Sequence, residues 1–167
     1  YCGQGADNIF GRNIVEEHAR ACLKAGLMFE GINAEVMPGQ WEYQIGAGSP
    51  VKVADHLIIA RFLLQRIAEK YGVTVSLDPK PRTGNWNGAG AHTNFSNNYM
   101  RKNGQKGFST IIDRLRAKHD KHIAVYGENI DQRLTGKHET CSYQEFKSGT
   151  SDRGASIRIP GHINDNT

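Results

Sequence analysis

Two alternating runs, 29-FEGINAEV-36 and 40-QWEYQI-45, flank the tripeptide Met37-Pro38-Gly39. Alternation puts successive side chains on opposite faces of a strand, and a proline followed by glycine between two such runs folds the chain back, so the segment predicts a β-hairpin. Ile32, Ala34 and Val36 share one face of the first strand, with Asn33 and Glu35 on the other. Trp41, Tyr43 and Ile45 likewise oppose Gln40, Glu42 and Gln44. Each strand therefore offers one apolar face for packing and one polar face.

The flanking segments predict helices. Ile14, Val15, Ala19, Cys22 and Leu23 recur at helical spacing between Gly11 and Gly26, and Gly26 is a natural stop. Ser49 and Pro50 form a cap and first turn, and the segment to Tyr71, closed by Gly72, is apolar nearly all round. It predicts a buried helix of about twenty residues, long against the ~11 to 12 average. A strand 73-VTVSL-77, the rigid 78-DPKP-81, a glycine-rich loop and a strand over 91–96 are expected next. Phe108, Ile111, Ile112, Leu115 and His119 mark a third helix, and residues 126–154, which keep no period, predict loop and short turns before 155-ASIRI-159, where Ser156 and Arg158 face away from Ile157 and Ile159.

Composition narrows the class. With 23% charged and 38% apolar residues, neither disorder nor a membrane span is indicated, and the apolar run 57-LIIA-60 is far too short to cross a bilayer. Cys2, Cys22 and Cys141 are odd in number and lack CxxC spacing, which argues against a disulfide framework or zinc knuckle and for a reducing, cytoplasmic setting. The net charge of +4 suits anionic partners, yet acidic and basic residues alternate without a basic block. Phosphates in a pocket are favoured over a nucleic-acid groove. There is no internal repeat or domain linker, so 1–167 reads as a single domain or part of one; it opens at Tyr1 without a methionine or signal segment, as if an N-terminal part preceded it.

Three constellations can carry chemistry. Glu35 and Glu42 lie on polar strand faces across the turn, and a suitable register makes them half of a hard-cation site for magnesium or manganese; solvated strand residues or a cross-strand ion pair are the alternatives. In 85-NWNGAGAHTNFS-96, small residues allow close backbone approach, and His92, Asn94 and Ser96 fall at period two. This is neither GxGxxG nor a P-loop. Arg133, Arg153 and Arg158 are guanidiniums in loop-rich sequence that can grip phosphate or carboxylate, or remain ordinary surface arginines, and Glu139 is either a mobile-loop base or a solvated acid.

At NAEVMPGQWEYQIG, DPKPRTGNWNGAGAHTNFS, RLTGKHET and DRGASIRIP the sequence resembles the signature blocks of glutamine synthetases, eukaryotic-type most of all, in order and with similar spacing from Tyr1 to about Pro160. The resemblance implies an α+β fold, a curved antiparallel sheet backed by helices, with active sites between the subunits of a ring-shaped homo-oligomer. It implies ligation of ammonia to glutamate with ATP through a γ-glutamyl phosphate, aided by Mg2+ or Mn2+. By the same resemblance, Glu35 and Glu42 hold one divalent ion, Glu42 also standing at the nucleotide, and His92 holds another. Asn85, Trp86, Asn87 and Gly88 hold substrate glutamate; Asn94, Ser96 and Arg101 contact the nucleotide; Arg133 binds glutamate; Arg153 and Arg158 meet the phosphates; and Glu139 accepts a proton from ammonium. The resemblance further implies that an E-x-E metal strand, an E-D-R-R block and a small N-terminal domain lie outside 1–167, and that this piece alone is inactive. A γ-glutamyl ligase for another amine, or a non-catalytic assembly or regulatory module, are the competing readings.

Overall fold

A computed structural model describes residues 3–164, except for the side chain of Asn164; Cys2 lies outside the described residues. The chain divides into two compact units, Tyr1–Ser76 and Leu77–Thr167.

The first unit contains α1 (Arg12–Lys24), β1 (Phe29–Ala34), β2 (Trp41–Ile45) and α2 (Pro50–Lys70). The hairpin forms, with β1 and β2 antiparallel and Ile32 opposite Tyr43, Asn33 opposite Glu42 and Ala34 opposite Trp41; a register shift between Phe29 and Gly31 interrupts the alternation and brings Phe29 to the same face as Tyr43. Its turn closes through Gln40 N–H donating to the Met37 carbonyl (2.9 Å), and Glu35 N–H still bonds the Gln40 carbonyl (2.9 Å) one residue beyond the end of β1. At the other end, Met28 N–H donates to His56 Nδ1 (3.0 Å), tying the entrance of β1 to α2.

The core lies between the apolar hairpin face and the two helices. Phe29 and Tyr43 stack at 5.9 Å with planes 10° apart, and the His18 ring meets both edge-on, at 5.7 and 4.9 Å. His18 is 1% exposed, and its Nε2 donates to the Ala60 carbonyl in mid-α2 (2.9 Å). Cys22 Sγ lies 3.2 Å from the same nitrogen. One imidazole on α1 thus satisfies its polar atom against α2 while its ring packs on both strands, as a buried polar group must. Burial pushes the Cys22 thiol up to about 11, which makes it an inert core residue.

Two expectations are corrected here. Only Ala60, Ile67 and Ala68 of α2 are buried, whereas Val51, Ile58 and Phe62 are 71%, 64% and 58% exposed. A single hairpin and α1 cover one side of a helix whose sequence is apolar on several. Residues 73–77 form no strand, because no neighbouring segment pairs with them among the described residues.

The second unit holds α3 (Asn98–Arg116), α4 (His119–Ile123), α5 (Ile130–Arg133), β3 (Ser148–Thr150), β4 (Ile157–Ile159) and α6 (Gly161–Asn164). The third helix starts well before Phe108, because Asn97 caps it through Oδ1 accepting from Met100 N–H (2.9 Å); Gly104 kinks it (φ 49°), and His119 opens α4 instead of ending α3. Residues 91–96 run without ladder partners, so the expected strand there is absent. β3 and β4 pair in parallel, with Gly149 opposite Arg158; Ile157 and Ile159 are half-buried and Arg158 is exposed, as the ASIRI alternation predicts. His119 Nε2 donates to the Tyr143 carbonyl (2.8 Å), and Arg116 sits 4.7 Å over the Phe146 ring. The described residues thus combine helices with two small sheets, and no helix among them is long and apolar enough to cross a membrane.

Desolvation holds the His18 pKa below its ordinary 6.5, so the folded state prefers neutral imidazole. The stability this contributes is complete above pH 6.5 and is lost as pH falls through the lowered folded value. Chemical denaturation between pH 7.5 and 5 is expected to show the loss, and His18→Phe is expected to flatten it. His18→Ala should cost about 2–4 kcal/mol at neutral pH through the cavity and the orphaned contacts.

Candidate functional site

The polar hairpin face gathers the two predicted metal-ligand glutamates. Gln44 Nε2 donates to both the Glu42 carboxylate (2.8 Å) and Asn33 Oδ1 (3.0 Å), and Asn33 Nδ2 donates to Glu35 Oε1 (3.1 Å). Two amides therefore join the two acids, and none of the ion pairs between described residues involves either glutamate. Carboxylate oxygens are the donor type that suits a hard divalent cation. Among the described residues no three His, Cys, Asp or Glu side chains gather as a cage. His92 belongs to the second unit, where its exposed ring donates from Nε2 to Asn94 Oδ1 (3.1 Å).

The remaining candidates also lie in the second unit. Ser96 Oγ accepts from Arg101 Nη1 (2.6 Å), and Arg101 Nη2 donates to Asn98 Oδ1 (2.6 Å), which draws two of the predicted nucleotide contacts together at the start of α3. The 85–88 loop is tied to the DPKP segment: Ala89 N–H donates to the Pro79 carbonyl (2.8 Å), and Lys80 Nζ donates to the Trp86 carbonyl. Trp86, Asn87 and Gly88 are half-buried, and Asn85 is exposed.

Arg133, the last residue of α5, lies against this loop. A Cβ on Gly88 would stand 2.6 Å from Arg133 Cγ and 2.7 Å from the Pro79 carbonyl oxygen; one on Gly90 would stand 2.6 Å from Arg133 Nη1. The bare backbone that suggested a floor for a ligand is thus the groove in which an arginine lies. Arg133 is half-buried, and desolvation lowers its pKa, partly opposed by the Tyr126 phenol.

Glu139 and Arg153 form an ion pair of 2.9 Å, both well exposed. His138 and Glu139 adopt φ of 53° and 59°, a left-handed backbone that costs non-glycine residues about 1–2 kcal/mol each. The turn carrying Arg153 is braced by Asp152, which accepts from Gly154 N–H (2.9 Å) and pairs with Lys147 (2.7 Å); that lysine holds the Asp152 carboxyl below its usual range. Arg158 sits on β4, away from the Glu139–Arg153 pair in sequence, and joins no ion pair among the described residues. Sequence reasoning missed Gly90 and the Lys147–Asp152 brace; the second glycine of GAGA and the D-R-G turn were the available signals.

The profile described as glutamine synthetase, catalytic domain, matches residues 6–167. The chain belongs to the glutamine synthetase family. Glutamine synthetase of Agaricus bisporus is 55% identical over 164 residues, covering 98% of this chain and 46% of that protein. The Streptomyces hygroscopicus and Xenopus laevis glutamine synthetases are 56% and 52% identical over 168 residues, covering 98% of this chain and 48% and 43% of theirs. The chain spans about half the length of the relatives it matches.

A methyl group at Gly88 has nowhere to go, because one of its neighbours is backbone. Gly88→Ala is expected to cost about 1–3 kcal/mol in urea unfolding. An unchanged midpoint and slope would contradict this packing.

Proposed function

We propose that the protein built on this chain ligates ammonia to L-glutamate, consuming ATP and releasing ADP and phosphate through a γ-glutamyl phosphate. One observation carries the reading beyond family membership: a carboxylate and a guanidinium, Glu139 and Arg153, stand 2.9 Å apart on separate loops. An acyl phosphate is displaced at the carbon that ammonia attacks, so the base for ammonium and the cation for departing phosphate must be neighbours. That pair supplies both.

In this reading Arg133, with Asn85, Trp86, Asn87 and Gly88, binds glutamate, and Asn94, Ser96, Arg101 and Glu42 border the nucleotide. A γ-carboxylate oxygen of glutamate attacks the terminal phosphorus of ATP while Arg153 and Arg158 balance the charge on the phosphoryl oxygens. Glu139 then takes a proton from ammonium, the amine nitrogen attacks the acyl carbon, and the C–O bond to phosphate breaks. Excluding water protects the acyl phosphate from hydrolysis. The amide-linked Glu35 and Glu42 suit the oxygen chemistry of Mg2+ or Mn2+, and His92 is proposed as a further ligand. Such ions, when bound, neutralise phosphate charge. We further propose that the antiparallel β1–β2 pair belongs to a larger curved antiparallel sheet of the catalytic domain, in a cytoplasmic, ring-shaped homo-oligomer with shared active sites, so that 1–167 alone is inactive.

In the assembled enzyme, Glu139→Ala is expected to lower glutamine formation by about 10²–10⁴-fold while ATP affinity stays within a few-fold. Full retention of turnover would refute the assigned base. Calorimetric titration with manganese is expected to show binding that Glu42→Gln weakens by at least about tenfold. No heat at millimolar manganese would instead favour a non-catalytic module.

A further inference from the structure

Gly88 and Gly90 both border Arg133, but their surroundings differ in a way that separates folding from positioning. At Gly88 the obstacles to a side chain are the Pro79 carbonyl oxygen and the root of the Arg133 side chain. At Gly90 they are Nη1, Cζ and Nε of Arg133, at 2.6, 3.1 and 3.4 Å from an added Cβ, which is the far end of a flexible side chain. Gly90 is also absent from the positive-φ residues, so its backbone does not require glycine. The fold therefore tolerates a methyl at Gly90, and the guanidinium does not.

We infer that Gly90 is a positioning residue: its missing side chain keeps open the lane that holds the Arg133 guanidinium beside the 88–90 backbone, placed for the carboxylate of a small amino acid. The aim matters because a guanidinium grips a carboxylate through two parallel N–H donors, a geometry that a shift of about 1 Å destroys. The lane also limits the choices. Desolvated along the glycine backbone, Arg133 loses the freedom that an exposed arginine has to swing toward other anions. The role assigned to Gly90 rests on the proposed reading of Arg133 as the glutamate anchor.

Gly90→Ala in the assembled enzyme tests it with two independent readouts. Modification of Arg133 by phenylglyoxal, followed by peptide mass spectrometry with exposed Arg158 as reference, is expected to accelerate several-fold as the guanidinium leaves its lane. The KM for glutamate should rise about tenfold with kcat and the KM for ATP within about twofold, the split expected when a ground-state anchor is displaced. Adding Gly90→Ala to Arg133→Lys should cost little more than Arg133→Lys alone, because Gly90 acts through the guanidinium. Unchanged modification of Arg133 overturns the inference and leaves the proposed reaction intact. Faster modification with an unchanged glutamate KM removes Arg133 as the anchor, and the positioning role falls with it.

Discussion

A slip of one residue between β1 and β2 would turn one strand over against the other, carrying Glu42 toward the core and Tyr43 into water while Glu35 stayed on the polar face. Everything in the first unit depends on that register. It is held from below by His18, whose ring meets both aromatics edge-on and whose Nε2 is committed to the Ala60 carbonyl. It is held from above by the amides of Asn33 and Gln44, which bond each other and reach both carboxylates. The apolar and polar faces thus enforce one pairing, and the convergence of two acids follows from the packing of a histidine on the other side of the sheet.

The second unit relies on a different constraint, the close approach of backbone and guanidinium. A planar cation that is half-buried loses hydration, and here a run of small residues lets it lie along peptide groups. Arg133 can do so because α5 ends at that residue and the 85–88 loop is pulled back to Pro79 and Lys80 by hydrogen bonds. The two ends of the arrangement are connected: the same Pro79 carbonyl that receives Ala89 N–H also blocks a side chain at Gly88. Loop tether, glycine and arginine form one packing unit.

Legibility in the sequence tracked how local each signal was. The hairpin, α1 and the ends of α2 were readable because alternation, helical spacing, Ser49-Pro50 and the glycines at 26 and 72 are all short-range. The expected strands at 73–77 and 91–96 failed because a ladder needs a partner that local pattern does not reveal. The true start of α3 was hidden by polar residues 101–106 and the Gly104 kink, although Asn97 was a legible cap. His18 carried a signal that went unused, since it lies four residues after Ile14 and four before Cys22 on the apolar stripe of α1. At the site, alternation put Glu35 and Glu42 on polar strand faces and left their approach to the register, whereas the meeting of Glu139 with Arg153 and of Arg133 with Gly90 depends on loop paths. Family resemblance pointed to the roles of Arg133, Glu139 and Arg153, and only coordinates brought them to their neighbours.

The Glu139–Arg153 pair also bears on how a base could be delivered when it is needed. An exposed ion pair contributes about 0–1 kcal/mol, whereas two consecutive left-handed non-glycine residues cost more than that, so the pair alone cannot hold the 137–140 turn in place. Local bonds contribute as well, since Thr140 N–H and Oγ1 both donate to the Lys137 carbonyl, at 3.2 and 2.7 Å. The turn is therefore rigid within itself and weakly attached through Arg153. An anionic phosphate competing for that guanidinium would free the carboxylate at little energetic cost while leaving the turn's shape intact. In the proposed reaction, the phosphoryl group that Arg153 meets would thereby release the base that the ammonium step requires.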